Sequence, residues 1–173
     1  MVDIDGVISL FGTQQPGART PSPHRAPAAD PGAVEGSLQS IDGTPHFLSA
    51  TAARQLLALS RVFDLVWASG WEEKANEHLP HLLGLPAQLP FVRFSQLTGQ
   101  ARSTHAHWKL EAIEAYAGQR ALAWVDDAFN PACQDWARTR PAPTLLVSTA
   151  PERGLTPLEA EVLMGWARAL GQR

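Results

Sequence analysis

The stretch MVDIDGV, residues 1–7, decides the fold prediction, because it places two aspartates one residue apart after a short apolar start. Gly6 allows a turn, so this pattern is typical of the end of a buried strand that runs into a loop. A second apolar run, ALAWV at 121–125, leads directly into Asp126 and Asp127. We therefore expect two buried strands whose carboxyl ends both carry acidic pairs.

Outward from these two runs, the chain alternates between helical and strand patterns. The hydrophobic spacing predicts helices after a cap at Ser49 or Thr51, at 71–83, near 108–116, near 131–138 and at 157–170. It predicts buried strands at 62–68, 121–125 and 144–147, with a short candidate strand at 91–94. Such alternation implies βαβ units. The expected fold is α/β, a three-layer α/β/α Rossmann-like domain with a mostly parallel central sheet.

The length of 173 residues fits one domain over 1–173. Six of the 14 prolines fall between residues 12 and 45, where hydrophobic periodicity is weak. We expect a Pro/Gly-rich flap or insertion at about 12–48, with short strands near 36–41 and 46–48.

Composition narrows the class of protein. A net charge of −3 and the absence of a long basic run give no sign of a nucleic-acid-binding surface. This composition does not exclude a local basic groove. One cysteine, Cys133, cannot form an intramolecular disulfide, which fits a reducing compartment. No apolar run approaches the ~18 residues of a membrane span, and residues 1–11 do not resemble a secretory signal. We expect a cytoplasmic protein without membrane association.

Polar residues follow the predicted strands in order. Asp3 and Asp5 follow the first, Ser69 follows 62–68, and Asp126-Asp127 follows 121–125. Ligands of open parallel sheets bind where the carboxyl ends of the strands emerge. Four carboxylates at one edge are costly unless a hard divalent cation neutralises them, and oxygen ligands favour Mg²⁺. With Lys109 in an intervening helix to bind an anion, the set indicates phosphoryl transfer.

These segments resemble the four motifs of the haloacid dehalogenase (HAD) superfamily. DIDGV at 3–7 is similar to the first motif and Ser69 to the second. Lys109 in HWKLEAI is similar to the third, and VDDA at 125–128 to the fourth. The resemblance spans residues 2 to about 150. It implies a small, capless or minimal-flap HAD-like phosphatase, since the aspartate at position 5 is typical of phosphatases and not of dehalogenases.

The resemblance also implies roles for the acidic residues. Asp3 would be the nucleophile that becomes an aspartyl-phosphate, and Asp5 the general acid and then the general base. The metal ligands would be Asp3, the backbone carbonyl of Asp5, and Asp126. Asp127 would bind the metal through water or orient the lysine.

Four residues would bind the substrate by the same resemblance and by their position. Ser69 would hydrogen-bond a phosphoryl oxygen, and Lys109 would hold the same group. Gly70 and Trp71 follow at the mouth of the predicted site. Trp71 could stack on a base or sugar there, although packing in the core is the more favoured alternative.

The substrate class and the degree of activity stay open at the level of sequence. The leading prediction is an Mg²⁺-dependent phosphatase acting on a phosphorylated small molecule or nucleic-acid end, with a lid that a partner protein could supply. The alternatives are a HAD-fold binding module with little turnover, and a phosphotransferase. Only Met1 and Val2 precede Asp3, so we expect either a shortened first strand or a start upstream of Met1.

Overall fold

The structure is a computed structural model that describes residues 1–12, 34–94 and 106–172. Most of the predicted flap, residues 13–33, lies outside these ranges. Within them the fold is mixed α/β. The strands are β1 (Ser9–Leu10), β2 (Gly36–Ile41), β3 (Thr44–Ser49), β4 (Leu122–Asp126) and β5 (Thr144–Ser148). The helices are α1 (Ala50–Leu59), α2 (Lys74–Leu83), α3 (Leu110–Ala117), α4 (Pro131–Thr139) and α5 (Pro157–Gly171), with a 3-10 helix (Ala106–Lys109) before α3.

The parallel part of the fold carries the first and fourth motifs. β4 and β5 pair in parallel, from Leu122 opposite Thr144 to Asp126 opposite Ser148. Val2 forms parallel bridges to both Trp67 and Val125, and Trp67 forms another to Phe91. The start of the chain therefore lies between the segment that leads to Ser69 and β4, even though only two residues precede Asp3.

The predicted strand at 62–68 forms only the bridges at Trp67. The chain is still leaving α1 at residues 60–63, where the Val62 and Phe63 amides donate to Leu59 O (both 3.0 Å). Those amides are consequently not available to a strand ladder. The candidate strand at 91–94 is likewise reduced to the bridge at Phe91.

An antiparallel unit stands beside the parallel part. β2 and β3 form a hairpin closed by Asp42 and Gly43, both with positive φ, as a two-residue type I′ turn requires. The strands expected near 36–41 and 46–48 are confirmed. β3 also pairs with β1, with Ser9 opposite Leu48, so the order is β1-β3-β2. The sequence did not predict this pairing, which connects the hairpin by backbone hydrogen bonds to the segment after the first motif.

Two apolar clusters pack the fold. Trp67 and Val125 belong to one cluster, together with buried residues of α1, α2 and α5. Val66 and Trp124 belong to the other, together with buried residues of α3 and Cys133 of α4. Successive residues of the central segments thus alternate between clusters, as in segments that are buried on both faces. Among the described helices, none is long and apolar enough to cross a membrane.

Candidate active site

Asp3 lies one residue beyond the Val2 bridges, at the carboxyl end of the first segment. Its backbone amide donates to Val125 O (3.0 Å), which fixes it beside β4. Its side chain is only 9% exposed. Oδ1 accepts from the Ile4 amide (2.8 Å), and Oδ2 lies 2.7 Å from Lys109 Nζ. The carboxylate is therefore held at both oxygens.

Lys109, at the end of the 3-10 helix, joins the first and fourth motifs. Its Nζ lies 2.7 Å from Asp3 Oδ2 and 2.7 Å from Asp126 Oδ2, and the side chain is buried. Burial by itself lowers the pKa of Lys109, but the negative charges of the two aspartates and their hydrogen bonds outweigh it. The pKa therefore lies above its usual value, and the lysine stays charged.

The fourth motif contributes two carboxylates with raised pKa values. Asp126 ends β4, is fully buried, and accepts from the Ala128 amide at Oδ1 (3.0 Å). Burial and then the charge of Asp3 raise the pKa of Asp126 to about 6. The same two causes raise the pKa of Asp127. Both carboxylates therefore lack full charge compensation within the protein.

Asp3, Asp126 and Asp127 offer carboxylate oxygens that all lie within 4.8 Å of one another. Three negative charges face one positive charge, that of Lys109. An all-oxygen set with excess negative charge suits a hard divalent cation. The residues present therefore fit Mg²⁺.

Gly6 permits the close approach of the first and fourth motifs. It has φ +69°, and a Cβ built there would lie 2.2 Å from both Cγ and Oδ2 of Asp127. Its carbonyl accepts from Thr149 Oγ1 (2.9 Å), while the Thr149 amide donates to Asp126 O (3.3 Å). Thr149 links the two motifs and was not predicted as a site residue. Its position two residues after the strand predicted at 144–147 was the available signal.

Asp5 is not one of the three carboxylates whose oxygens cluster within 4.8 Å. Its Oδ2 accepts from the indole Nε1 of Trp71 (3.1 Å). Burial, and then the charge of Asp3, raise the pKa of Asp5, while the Trp71 hydrogen bond and the charges of His46 and Lys109 oppose that rise. The side chain of Asp5 is thus engaged by Trp71 and electrostatically coupled to Asp3.

The second-motif residues lie at the neighbouring segment end. The Ala68 amide donates to Val2 O (2.8 Å), so buried Ser69 follows the parallel bridge beside the first motif. Gly70 is half-buried in the turn that follows. Trp71 packs against the apolar cluster that contains Trp67, and it also donates to Asp5. Trp71 thus makes the core contacts that were one of its two alternatives, and its role as a substrate-binding residue stays a prediction.

The HAD domain in Swiss Army Knife RNA repair proteins is the family whose model matches residues 1–160 of the chain. The chain belongs to this family. The match covers every residue of the candidate site and confirms the resemblance drawn from the four motifs. No curated protein and no solved structure matches the chain significantly.

His46 is a second residue beside the site of this HAD domain that the sequence did not predict. It lies on β3, half-buried, with Nδ1 2.8 Å from Ser9 Oγ. Its ring meets that of Trp71 edge-on, with centroids 4.9 Å apart and an interplanar angle of 72°. Its place depends on the pairing of β1 with β3, for which the sequence gives no signal.

Proposed function

We propose that this HAD domain hydrolyses a phosphate monoester, with Asp3 as the nucleophile. The observation that carries the proposal is the contact of one buried lysine with two motif aspartates at 2.7 Å each, next to a third carboxylate. A lysine that forms only a structural ion pair needs one carboxylate partner, whereas Lys109 contacts two. A cluster with excess negative charge at the edge of a parallel array is typical of a site for a cation and a phosphoryl group.

Asp3, Asp126 and Asp127 would hold Mg²⁺, with the backbone carbonyl of Asp5 as a further ligand that the family resemblance implies. When bound, the ion supplies positive charge that stabilises the phosphoryl oxygens in the transition state. Lys109 and Ser69 would bind those same oxygens.

The reaction has two steps at phosphorus. A carboxylate oxygen of Asp3 forms a bond to phosphorus while the bond to the leaving oxygen breaks, and Asp5 donates its proton to that oxygen. Asp5 then accepts a proton from water, whose oxygen attacks phosphorus and releases Asp3 and inorganic phosphate. Burial and the charge of Asp3 raise the pKa of Asp5, which favours its protonated form in the first step.

A phosphorylated nucleic-acid end is the substrate that the family name supports, with a phosphorylated small molecule as the alternative. In HAD proteins, caps are inserted after the first motif or between the second and third. In the described part of these two stretches lie the β2–β3 hairpin, α1, α2 and the 3-10 helix. We infer a single domain over 1–173, with a flap at about 12–48 and room for a bulky substrate or a lid from a partner.

The finer architecture and location are also proposals. We infer a three-layer α/β/α, Rossmann-like arrangement from the alternation of central residues between two apolar clusters. Buried Cys133 as the single cysteine is consistent with a reducing, cytoplasmic compartment.

The test is release of phosphate from oligoribonucleotides with a 5′- or a 3′-phosphate and from p-nitrophenyl phosphate, with Mg²⁺ and with EDTA. Wild type should turn over with Mg²⁺, and Asp3→Asn should lower the rate about a thousandfold or more, as expected for loss of a nucleophile. Asp64→Asn, a change at an exposed aspartate, is the control and should retain full activity.

Two results would redirect the proposal. Activity retained in Asp3→Asn would exclude Asp3 as the nucleophile. Folded wild type that releases no phosphate, yet binds a phosphorylated oligoribonucleotide equally well with Asp3→Asn, would favour the binding module.

A further inference from the structure

Trp71 is held in an unusual loop after the second motif. The next residue, Glu72, has φ +48°, a conformation that side chains other than glycine rarely adopt. The Glu72 carboxylate accepts from the Phe94 amide (2.9 Å), and the Glu72 amide donates to Ser69 O (3.1 Å). These two bonds stabilise the strained turn. α2 consequently begins at Lys74, three residues later than the pattern predicted, and Trp71 is left in the turn facing the first motif.

The indole N–H of Trp71 donates a hydrogen bond to one carboxylate oxygen of Asp5. An indole N–H is a donor only, so Asp5 Oδ2 must be the acceptor of the 3.1 Å hydrogen bond. When the Asp5 carboxyl is protonated, its proton is therefore directed to Oδ1. The bond also restricts rotation of the carboxyl group. Trp71 thus selects both the orientation of Asp5 and the oxygen that carries the transferable proton.

The hairpin holds the indole in place. His46 on β3 presents an edge contact to the Trp71 ring at 4.9 Å, and its own ring is fixed by Ser9 Oγ at 2.8 Å. Ser9 is buried and lies in β1, four residues after Asp5. The chain Ser9–His46–Trp71–Asp5 therefore starts and ends in the segment that carries the first motif.

We propose that Trp71 is a positioning residue for Asp5, held in place by His46, and that it aims the proton of Asp5 at the leaving oxygen. This inference rests on the proposed phosphatase function. It assigns Trp71 to proton transfer and not to stacking on a base. The β2–β3 hairpin then completes the acid–base machinery in addition to flanking the site.

The test compares Trp71→Phe with wild type on two substrates, since phenylalanine keeps a ring but has no N–H donor. A nitrophenolate leaves without needing a proton, whereas the alkoxide of β-glycerophosphate needs one. In Trp71→Phe, kcat/KM for β-glycerophosphate should fall about tenfold or more, while kcat/KM for p-nitrophenyl phosphate changes less than about threefold. The fall should lie in kcat, with KM nearly unchanged.

Trp136→Phe is the matched control, because Trp136 is also half-buried and also donates its indole N–H to a carboxylate, Glu114 Oε2 (3.0 Å). It lies in α4 against the other apolar cluster and should leave both substrates unaffected. His46→Ala is a second test, because it removes the hairpin side chain that contacts the Trp71 ring. It should show the same dependence on leaving group with a smaller fall, even if Trp71→Phe proves poorly folded by circular dichroism.

The outcomes separate the two proposals. Equal falls on both substrates in Trp71→Phe and His46→Ala would show a merely structural role and overturn the inference, with the phosphatase function intact. A rise in KM confined to nucleotide substrates would overturn it in favour of base stacking. Wild type that releases no phosphate from either substrate or from the phosphorylated oligoribonucleotides would contradict the proposed function and the inference together.

Discussion

The charge balance around Lys109 is the most constrained feature at the level of single residues. One ammonium group contacts Asp3 and Asp126, all three side chains being almost fully buried. Desolvation of such a group is expensive, and it is tolerated here because both contacts are short. Removal of the lysine leaves two carboxylates buried close together without compensation.

We expect Lys109→Met to lower the free energy of unfolding by about 3 kcal/mol or more at pH 8 in EDTA, measured by urea denaturation. The loss should be smaller at pH 5. The pKa of Asp126 is raised to about 6, so below that value the folded protein can neutralise this carboxylate by protonation. Lys74→Met is the control, since the Lys74–Asp42 pair is exposed and should matter little. An equal loss at both pH values would contradict this account of the charges.

Gly6 meets two requirements that a larger residue would not: a positive φ, and space for the side chain of Asp127. Gly6→Ala should lower activity at least tenfold, because its Cβ would displace Asp127, which lies 2.2 Å from that position. Gly84→Ala is the matched control: Gly84 has φ +65°, but among the described residues, its chain neighbours apart, no atom lies within 4 Å of a Cβ built there. It should incur the backbone strain alone, about 1–2 kcal/mol, and keep normal activity. Similar activity in the two variants would show that the approach of Asp127 is not needed.

Part of the site could be predicted from sequence and part could not. Asp3, Asp126 and Asp127 come together because parallel segments carry them to one edge, which follows from their order along the chain. Lys109 reaches them from the end of the 3-10 helix. Their chemical roles remain predictions. His46 was not predicted as a site residue because its position depends on the pairing of strands that are distant in sequence. Thr149 was not predicted because it looks like an ordinary residue at the end of a strand.

Among the elements, local signals predicted boundaries best where a cap was present. α5 begins at Pro157 after Thr156, with the reciprocal capping bonds to Glu159 that the sequence indicated. Ser49 caps α1, one of the two caps proposed, and Gly84 ends α2. The strand predicted at 62–68 is reduced to the bridges at Trp67, and over residues 62 and 63 the chain is still leaving α1, because apolar content alone cannot separate a strand from the end of a helix.

The cap of α5 gives a prediction at the scale of elements. Thr156→Ala should lower the free energy of unfolding by about 1 kcal/mol, since Thr156 Oγ1 accepts from the Leu158 amide (3.2 Å) at the helix start. Thr156→Ser, which keeps the acceptor, should lose much less. Thermal and urea unfolding of the two variants measure this difference. Equal stability of Thr156→Ala and wild type would show that the cap contributes nothing.

At the scale of the whole molecule, the acidic cluster predicts coupling between metal binding and stability. A ligand at 100 times its Kd stabilises the folded state by about 2.7 kcal/mol. For a chain of this size we expect saturating Mg²⁺ to raise Tm by about 5–10 °C at pH 7.5. The rise should shrink at pH 5.5, because protons compete for Asp126 below its pKa of about 6.

Scanning fluorimetry with Mg²⁺ and, at matched ionic strength, with Na⁺ measures this shift. Asp127→Asn should lose most of it, because one of the three clustered carboxylates is removed. A rise of the same size with Na⁺, or an unchanged rise in Asp127→Asn, would place the effect outside the cluster.

The central claim is that phosphate passes through a covalent bond to Asp3, and trapping that bond tests it most directly. Asp5→Asn should slow hydrolysis of the intermediate more than its formation when the leaving group is p-nitrophenolate. Acid-quenched Asp5→Asn treated with p-nitrophenyl phosphate and Mg²⁺ should therefore carry one phosphoryl group on the tryptic peptide 1–19, at Asp3, and hydroxylamine should remove it. Phosphate release without any phosphoryl-protein, or a phosphoryl group on another peptide, would contradict the account.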